Sequence, residues 1–220
     1  MQNLFNHQEL IRMMNQYHFL VKKEVYKPKE VIVENVKDDY VYLLVNGCAA
    51  AYLNTEAKSL YSAIGAGYMM GYYMVMDNIP NQFTFKALSH CLVYKYKKAD
   101  LQYALSFSEN YGFQFFIMKE LTRPLYLKSM LLYEEHQNFL LRSFVNLVQI
   151  LRPTMDEDFY IFSKEISTTF LNSYCMLSRS SFYQQLTALR DEGTIAKEDG
   201  CWKIARKIVD EHFIALNSYH

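Results

Sequence analysis

Ser178, Arg179, Ser180 and Ser181 stand in a row, with Gln184 and Gln185 just beyond them and Phe182, Leu186 and Leu189 interleaved at helical spacing. Read as a helix, the apolar trio makes a buried stripe, and the polar residues crowd the start of the opposite face. That set suits contact with a nucleic-acid groove. Arginine can hold guanine through two hydrogen bonds, glutamine can do the same for adenine, and serine hydroxyls suit phosphates or base edges. Downstream, the largely apolar segments Thr194-Ile195-Ala196 and Cys201-Trp202-Lys203-Ile204 flank Glu198-Asp199-Gly200, a hairpin signature. Lys197 and Lys203 on this hairpin, with Arg206-Lys207 after it, are placed to meet a phosphate backbone.

Other chemistry has weaker support. The sequence holds no GxSxG, phosphate loop, HExxH or dinucleotide-binding glycine fingerprint, so no enzyme is expected. Histidines 7, 18, 90, 136, 212 and 220 are dispersed, and His90 beside Cys91 reads as structural rather than as a haem ligand. Cys48, Cys91, Cys175 and Cys201 form no CxxC and read as small buried residues. Asp156-Glu157-Asp158 reads as a solvated loop. No metal and no cofactor is expected.

The elements that must carry the serine–arginine cluster follow from composition and pattern. The chain has 220 residues, 51% of them hydrophobic, with 23 basic and 23 acidic side chains. This excludes a highly charged disordered chain and gives no global attraction to nucleic acid. Over residues 138–220 there are nine basic and ten acidic groups, so any nucleic-acid face must concentrate its cations locally. No apolar run approaches the ~20 residues of a membrane helix. Met1–Leu10 lacks the basic start and apolar stretch of a signal peptide, so a cytoplasmic protein with reduced thiols is expected, with no membrane partner.

Residues 25–97 give short strands: Val31–Val33, Tyr40–Val45 before the turn Asn46-Gly47, Cys48–Leu53, Leu60–Ile64, Phe83–Phe85 and Cys91–Tyr94, with a polar loop at Asn54–Ser59. Short antiparallel strands at this spacing predict a sandwich or barrel. From Ala99 to about residue 150 the pattern turns helical, and Pro124 predicts a kink or break near Arg123. Met118, Leu121, Leu125 and Leu132 recur at spacings of three, four and seven, as a dimer seam requires. A second helix spans about Gln137–Leu151. Phe159–Phe162 reads as a strand, Ser163 as the cap of the next helix, and Lys207–Leu216 as a terminal helix. A helix, a serine-headed second helix and a hairpin together make a winged helix-turn-helix.

In order and spacing, these pieces resemble the CRP/FNR family of bacterial transcription regulators over nearly the whole chain. The resemblance rests on Tyr26-Lys27-Pro28-Lys29-Glu30-Val31-Ile32, Tyr42–Gly47, Ile64-Gly65-Ala66-Gly67-Tyr68-Met69-Met70-Gly71, Ser178-Arg179 and the residues after it, and Arg190–Ile195. It implies an α+β fold: a cyclic-nucleotide-binding-type β-barrel, or jelly roll, over residues 1–108, a long dimerisation helix over 109–136, and a winged helix-turn-helix over 137–220. It implies a homodimer on a palindromic site in double-stranded DNA, reading half-sites about one helical turn (~34 Å) apart, with RNA polymerase as a further partner. It places the effector site at Tyr68, Met69, Gly71, Tyr72, Asn81 and Gln82.

The departures from the family bear on the effector. In cyclic-AMP-binding members, a Gly-Glu pair holds the ribose and an Arg-Ser pair holds the cyclic phosphate. Here Gly71 is followed by Tyr72, and Asn81-Gln82 stand at the Arg-Ser positions, so cyclic AMP is not expected to bind. Residues 1–47 contain no cysteine, so no iron–sulfur cluster is expected. Tyr68, Met69, Tyr72, Tyr73 and Phe85 suit a flat or apolar effector, or a filled core; the residues leave both open, and the effector is unknown. Leu171–Leu177 lengthens the turn ahead of Ser178 and blurs the start of the reading helix. The alternative function is a small-molecule sensor whose degenerate helix-turn-helix acts through protein partners. A cupin-like barrel enzyme would need clustered metal ligands, and the strands lack them.

Overall fold

The computed structural model describes residues 4–34, 39–53, 59–77 and 83–217. In chain order its elements are α1 (His7–Gln16), β1 (Lys22–Tyr26), β2 (Val31–Glu34), β3 (Tyr40–Asn46), β4 (Ala49–Leu53), β5 (Ser59–Ile64), β6 (Met69–Met70), α2 (Tyr73–Asp77), β7 (Phe83–Ala87), β8 (Cys91–Lys97), α3 (Lys98–Leu105), α4 (Tyr111–Met130), α5 (Phe139–Leu151), β9 (Thr154–Met155), β10 (Phe159–Ile161), α6 (Thr168–Cys175), α7 (Arg179–Asp191), β11 (Ile195–Glu198), β12 (Cys201–Ala205) and α8 (Arg206–Asn217). The fold is α+β, and two compact units divide it, Met1–Leu125 and Tyr126–His220. The predicted loop Asn54–Ser59 lies mostly outside the described residues, as do Asn81 and Gln82.

In the first unit, two four-stranded antiparallel sheets, ordered β1-β8-β3-β6 and β2-β7-β4-β5, form the predicted jelly roll. Because side chains alternate across a strand, β3 buries both faces. Tyr42 and Leu44 join Ile32, Ile64, Met70, Phe85 and Val93 in one core. Val41 and Leu43 join Leu10, Met14, Tyr96, Leu105, Phe113 and Ile117 in the other, where α1, α3 and α4 cover the first sheet. Asn6 caps α1 by accepting from the backbone N–H groups of Gln8 and Glu9. The β3–β4 turn needs its glycine: Gly47 has φ +90, and a Cβ there would meet the His90 carbonyl oxygen at 2.3 Å.

α4 runs from Tyr111 to Met130 through Pro124, so of the kink or break expected near Arg123 the break is absent. Proline removes one i→i−4 hydrogen bond. The buried positions Phe113, Phe116, Ile117 and Leu127 flank it on both sides and hold the helix together.

In the second unit, Phe144 of α5 packs on Phe162 and on Trp202 of β12, with ring centroids 5.8 and 6.0 Å apart. Of the predicted stripe on α7, Phe182 and Leu186 are buried and Leu189 is half-buried. The sheet order is β11-β12-β10-β9. Asp199 and Gly200, at φ +49 and +83, form the two-residue turn of the β11–β12 hairpin. Two sequence expectations change here. The cap of α6 is Ser167, whose Oγ accepts from the Phe170 N–H, while Ser163 lies in the preceding turn. Most of the lengthened turn, Leu171–Cys175, is the body of α6. Met176, left-handed at φ +56, ends the helix, leaving only Met176-Leu177 as the link.

Candidate nucleic-acid interface

Ser178 is the N-cap of α7: its φ/ψ of −60/151 is extended, and its Oγ accepts from the Ser181 N–H at 3.2 Å. The hydroxyls of Ser180 and Ser181 lie 3.1 and 2.9 Å from it. This fixes the start of α7 at Arg179, settling the point the sequence blurred. Orphan N–H groups and the positive end of the helix dipole meet there, as anion binding requires. Arg179 is exposed, its guanidinium 6.0 Å above the Tyr183 ring. Ser180, Tyr183, Gln184 and Thr187 share that exposed surface. Tyr183 and Thr187 were missed in the sequence, though their helical spacing from Arg179 and Ser180 places them on the same face.

Gln185 is not available to a base. Its Oε1 accepts from the Leu140 N–H at 3.0 Å, and its Nε2 donates to the His136 carbonyl at 2.8 Å. Lys203 is also committed: its Nζ lies 2.6 Å from Glu198 Oε2. That hydrogen bond, with the charges of Glu198, Asp156 and Asp199, raises the ammonium above its ordinary value. A cation so matched by acids offers little to a phosphate. Lys197 remains exposed; its ammonium lies 5.0 Å from the Trp202 ring and 3.5 Å from Thr168 Oγ1 of α6. Arg206 and Lys207 each pair with an acid one turn on, Asp210 at 3.5 Å and Glu211 at 4.0 Å. Lys164 is a further exposed cation: its aliphatic stem would stand 3.9 Å from a Cβ on Gly200 at the hairpin tip. Its assignment to a helix start at Ser163 hid it in the sequence.

The expected effector residues fall on opposite faces. Met69 and Tyr72 are buried in the core under the helices, whereas Tyr68 packs between the sheets, 6.1 Å from Phe85. Strand alternation separates them: Met70 points between the sheets and Met69 away. Burial raises the Tyr68 hydroxyl well above its ordinary value. Gly71 holds φ +79 ahead of α2, and Tyr73 is exposed. Tyr68, Met69, Gly71 and Tyr72 therefore do not line one pocket. Burial also pushes the Cys91 thiol up to about 11 and the Cys175 thiol up to about 12. Among the described residues, no group of three or more His, Cys, Asp or Glu could hold a metal ion, and no helix is long and apolar enough to cross a membrane.

Along α4, the seam residues also divide. Met118 and Leu125 are exposed, as is Leu132 just beyond the helix, but Leu121 packs against the core of the first unit. The exposed stripe is Tyr111, Phe115, Met118, Thr122 and Leu125, at alternating spacings of four and three. Its spacing continues in the sequence at Ser129 and Leu132.

Residues 23–106 match the family model for the cyclic nucleotide-binding domain. No curated protein matches the sequence. Among solved structures, a cyclic nucleotide-binding domain containing protein from Listeria monocytogenes EGD-e is similar at a TM-score of 0.73 and 17% identity, over 91% of this chain and 98% of that one. The c-di-GMP responsive global regulator CLP of Xanthomonas campestris is similar at 0.66 and 12%, over 90% and 99%. FixK2 from Bradyrhizobium japonicum is similar at 0.66 and 15%, over 85% and 93%. Residues 23–106 thus match the cyclic nucleotide-binding domain model in sequence, within a chain whose fold is similar to these proteins along most of its length.

Proposed function

We propose that the chain is a sequence-specific DNA-binding transcription regulator of the CRP/FNR type, acting as a homodimer and unresponsive to cyclic AMP. The observation that carries this reading is α7: a serine-capped helix whose exposed start presents Arg179, Ser180 and Gln184, followed by a hairpin with Lys197 on its first strand. Two copies joined along the exposed stripe of α4 would present two such helices to half-sites about one helical turn apart. Tyr72, standing where cyclic-AMP binders carry glutamate, is buried in the helix-covered core and offers no carboxylate to a ribose.

A second reading has an observation in its favour. Lys203, Arg206 and Lys207 are all matched by acids, as expected of a sensor whose helix-turn-helix acts through proteins instead of DNA. Selection of binding sites from random duplex DNA by the purified chain separates the two. The regulator reading predicts enrichment of an inverted repeat with half-site centres about 10 base pairs apart. A pool that stays random through successive rounds contradicts it and leaves the protein-partner reading.

A further inference from the structure

We propose that Gln185 is a positioning residue that pins the reading helix α7 to segment 136–140, where the chain enters the second unit's first long helix. The pin rests on geometry alone; its consequence for DNA rests on the regulator reading above. α5 begins without a local cap, since Asn138 makes no side-chain cap bond and stands at φ/ψ −103/0. The first-turn N–H groups of a helix need partners from outside it. Gln185 supplies one from 45 residues away, and its other end takes the His136 carbonyl that precedes the helix. One primary amide thus satisfies a donor and an acceptor at once. Among natural side chains of this length, only glutamine or a protonated glutamate does both.

Neighbouring positions on one turn of α7, both bordering the same cleft, then have different tasks. Gln184 is exposed on the reading surface, while Gln185 fixes where that surface sits against segment 136–140. A shift in that segment must either carry α7 with it or break two hydrogen bonds. The titratable side chains lining the cleft around Gln185 are Glu135, His136 and Glu192.

The test uses the full chain with Gln185→Leu and Gln185→Glu. In wild type the Leu140 amide exchanges slowly with solvent. Gln185→Leu accelerates it about tenfold or more relative to other α5 amides, and unchanged relative exchange overturns the pin. On the selected DNA, Gln185→Leu weakens all sequences by about five- to tenfold, the scale of one or two net hydrogen bonds, and leaves the base preference intact. A loss confined to the cognate sequence means that Gln185 reads a base and also overturns the proposal. Gln185→Glu, measured as a ratio to wild type at each pH, binds worst at pH 8 and recovers towards pH 4, because the protonated acid again both donates and accepts. Gln185→Leu shows no such recovery, and a flat Gln185→Glu ratio assigns the site to packing alone. If wild type binds no DNA, the regulator reading fails, and the Leu140 exchange rate of Gln185→Glu, taken as a ratio to wild type at each pH, still decides the pin.

Discussion

Ser178 holds the first turn of α7 and, in the proposed reading, also meets a phosphate there, so the two roles can be separated by substitution. Ser178→Ala removes the acceptor for the Ser181 N–H and is expected to cost about 1 kcal/mol of stability, read by thermal or denaturant unfolding. Ser178→Asp keeps a capping oxygen, so stability stays near wild type, but its charge repels phosphate and DNA affinity falls for every sequence. Unchanged DNA affinity in Ser178→Asp would remove Ser178 from the interface. At this scale the sequence was informative about residue type and poor about partners. Arg179 and Ser180 are exposed at the helix start, as their spacing implied. Gln185 and Lys203 have the right chemistry, yet their hydrogen bonds go elsewhere. Lys203 is taken by Glu198, five residues away across the hairpin, and Gln185 by backbone some 45 residues back in the chain. No helical or strand period encodes the second of these.

Strands were legible because alternation leaves a pattern, and β3, β7 and β8 fall close to their expected positions. The helices were harder where two faces are apolar. α4 buries Phe113, Phe116, Ile117 and Leu127 on one side and exposes Tyr111, Phe115, Met118 and Leu125 on another, so the sequence shows no single stripe. Leu121, expected in the seam, is instead partly buried against the first unit's core. The structure therefore predicts opposite outcomes for two aspartate substitutions. Phe115→Asp, at a position 78% exposed, should leave the fold stable and yield monomers in sedimentation velocity. Leu121→Asp should lower the melting temperature sharply, because it puts a charge against the first unit's core. A stable Phe115→Asp dimer would place the interface away from this stripe. Ser163 and Ser167 illustrate the same limit at a helix end. Both precede apolar residues, and the position of the cap is decided by which hydroxyl reaches an N–H three residues on.

For the molecule as a whole, element order was the strongest signal: short strands, a long helix, then two helices and a hairpin, all present in that order. The effector site was the weakest. Side chains four residues apart in the sequence, Tyr68 and Tyr72, lie in different cores, and a family motif cannot supply a pocket that the strand pleat has divided. In the proposed reading, recognition of DNA has to come from a small local surface, since the basic and acidic residues of the chain balance. Such a surface should give modest non-specific binding and depend heavily on base contacts.

The most direct measurement is a fluorescence-anisotropy comparison of the selected duplex with a scrambled one, for wild type and Arg179→Ala at one fixed salt concentration. The account predicts that wild type prefers the selected duplex by about a thousandfold or more. Arg179→Ala should shrink that preference by about 1–3 kcal/mol for each half-site whose base the guanidinium no longer reaches, with a much smaller change on the scrambled duplex. Equal weakening on both duplexes would make Arg179 a phosphate contact only, and no wild-type preference between them would contradict sequence-specific DNA binding altogether.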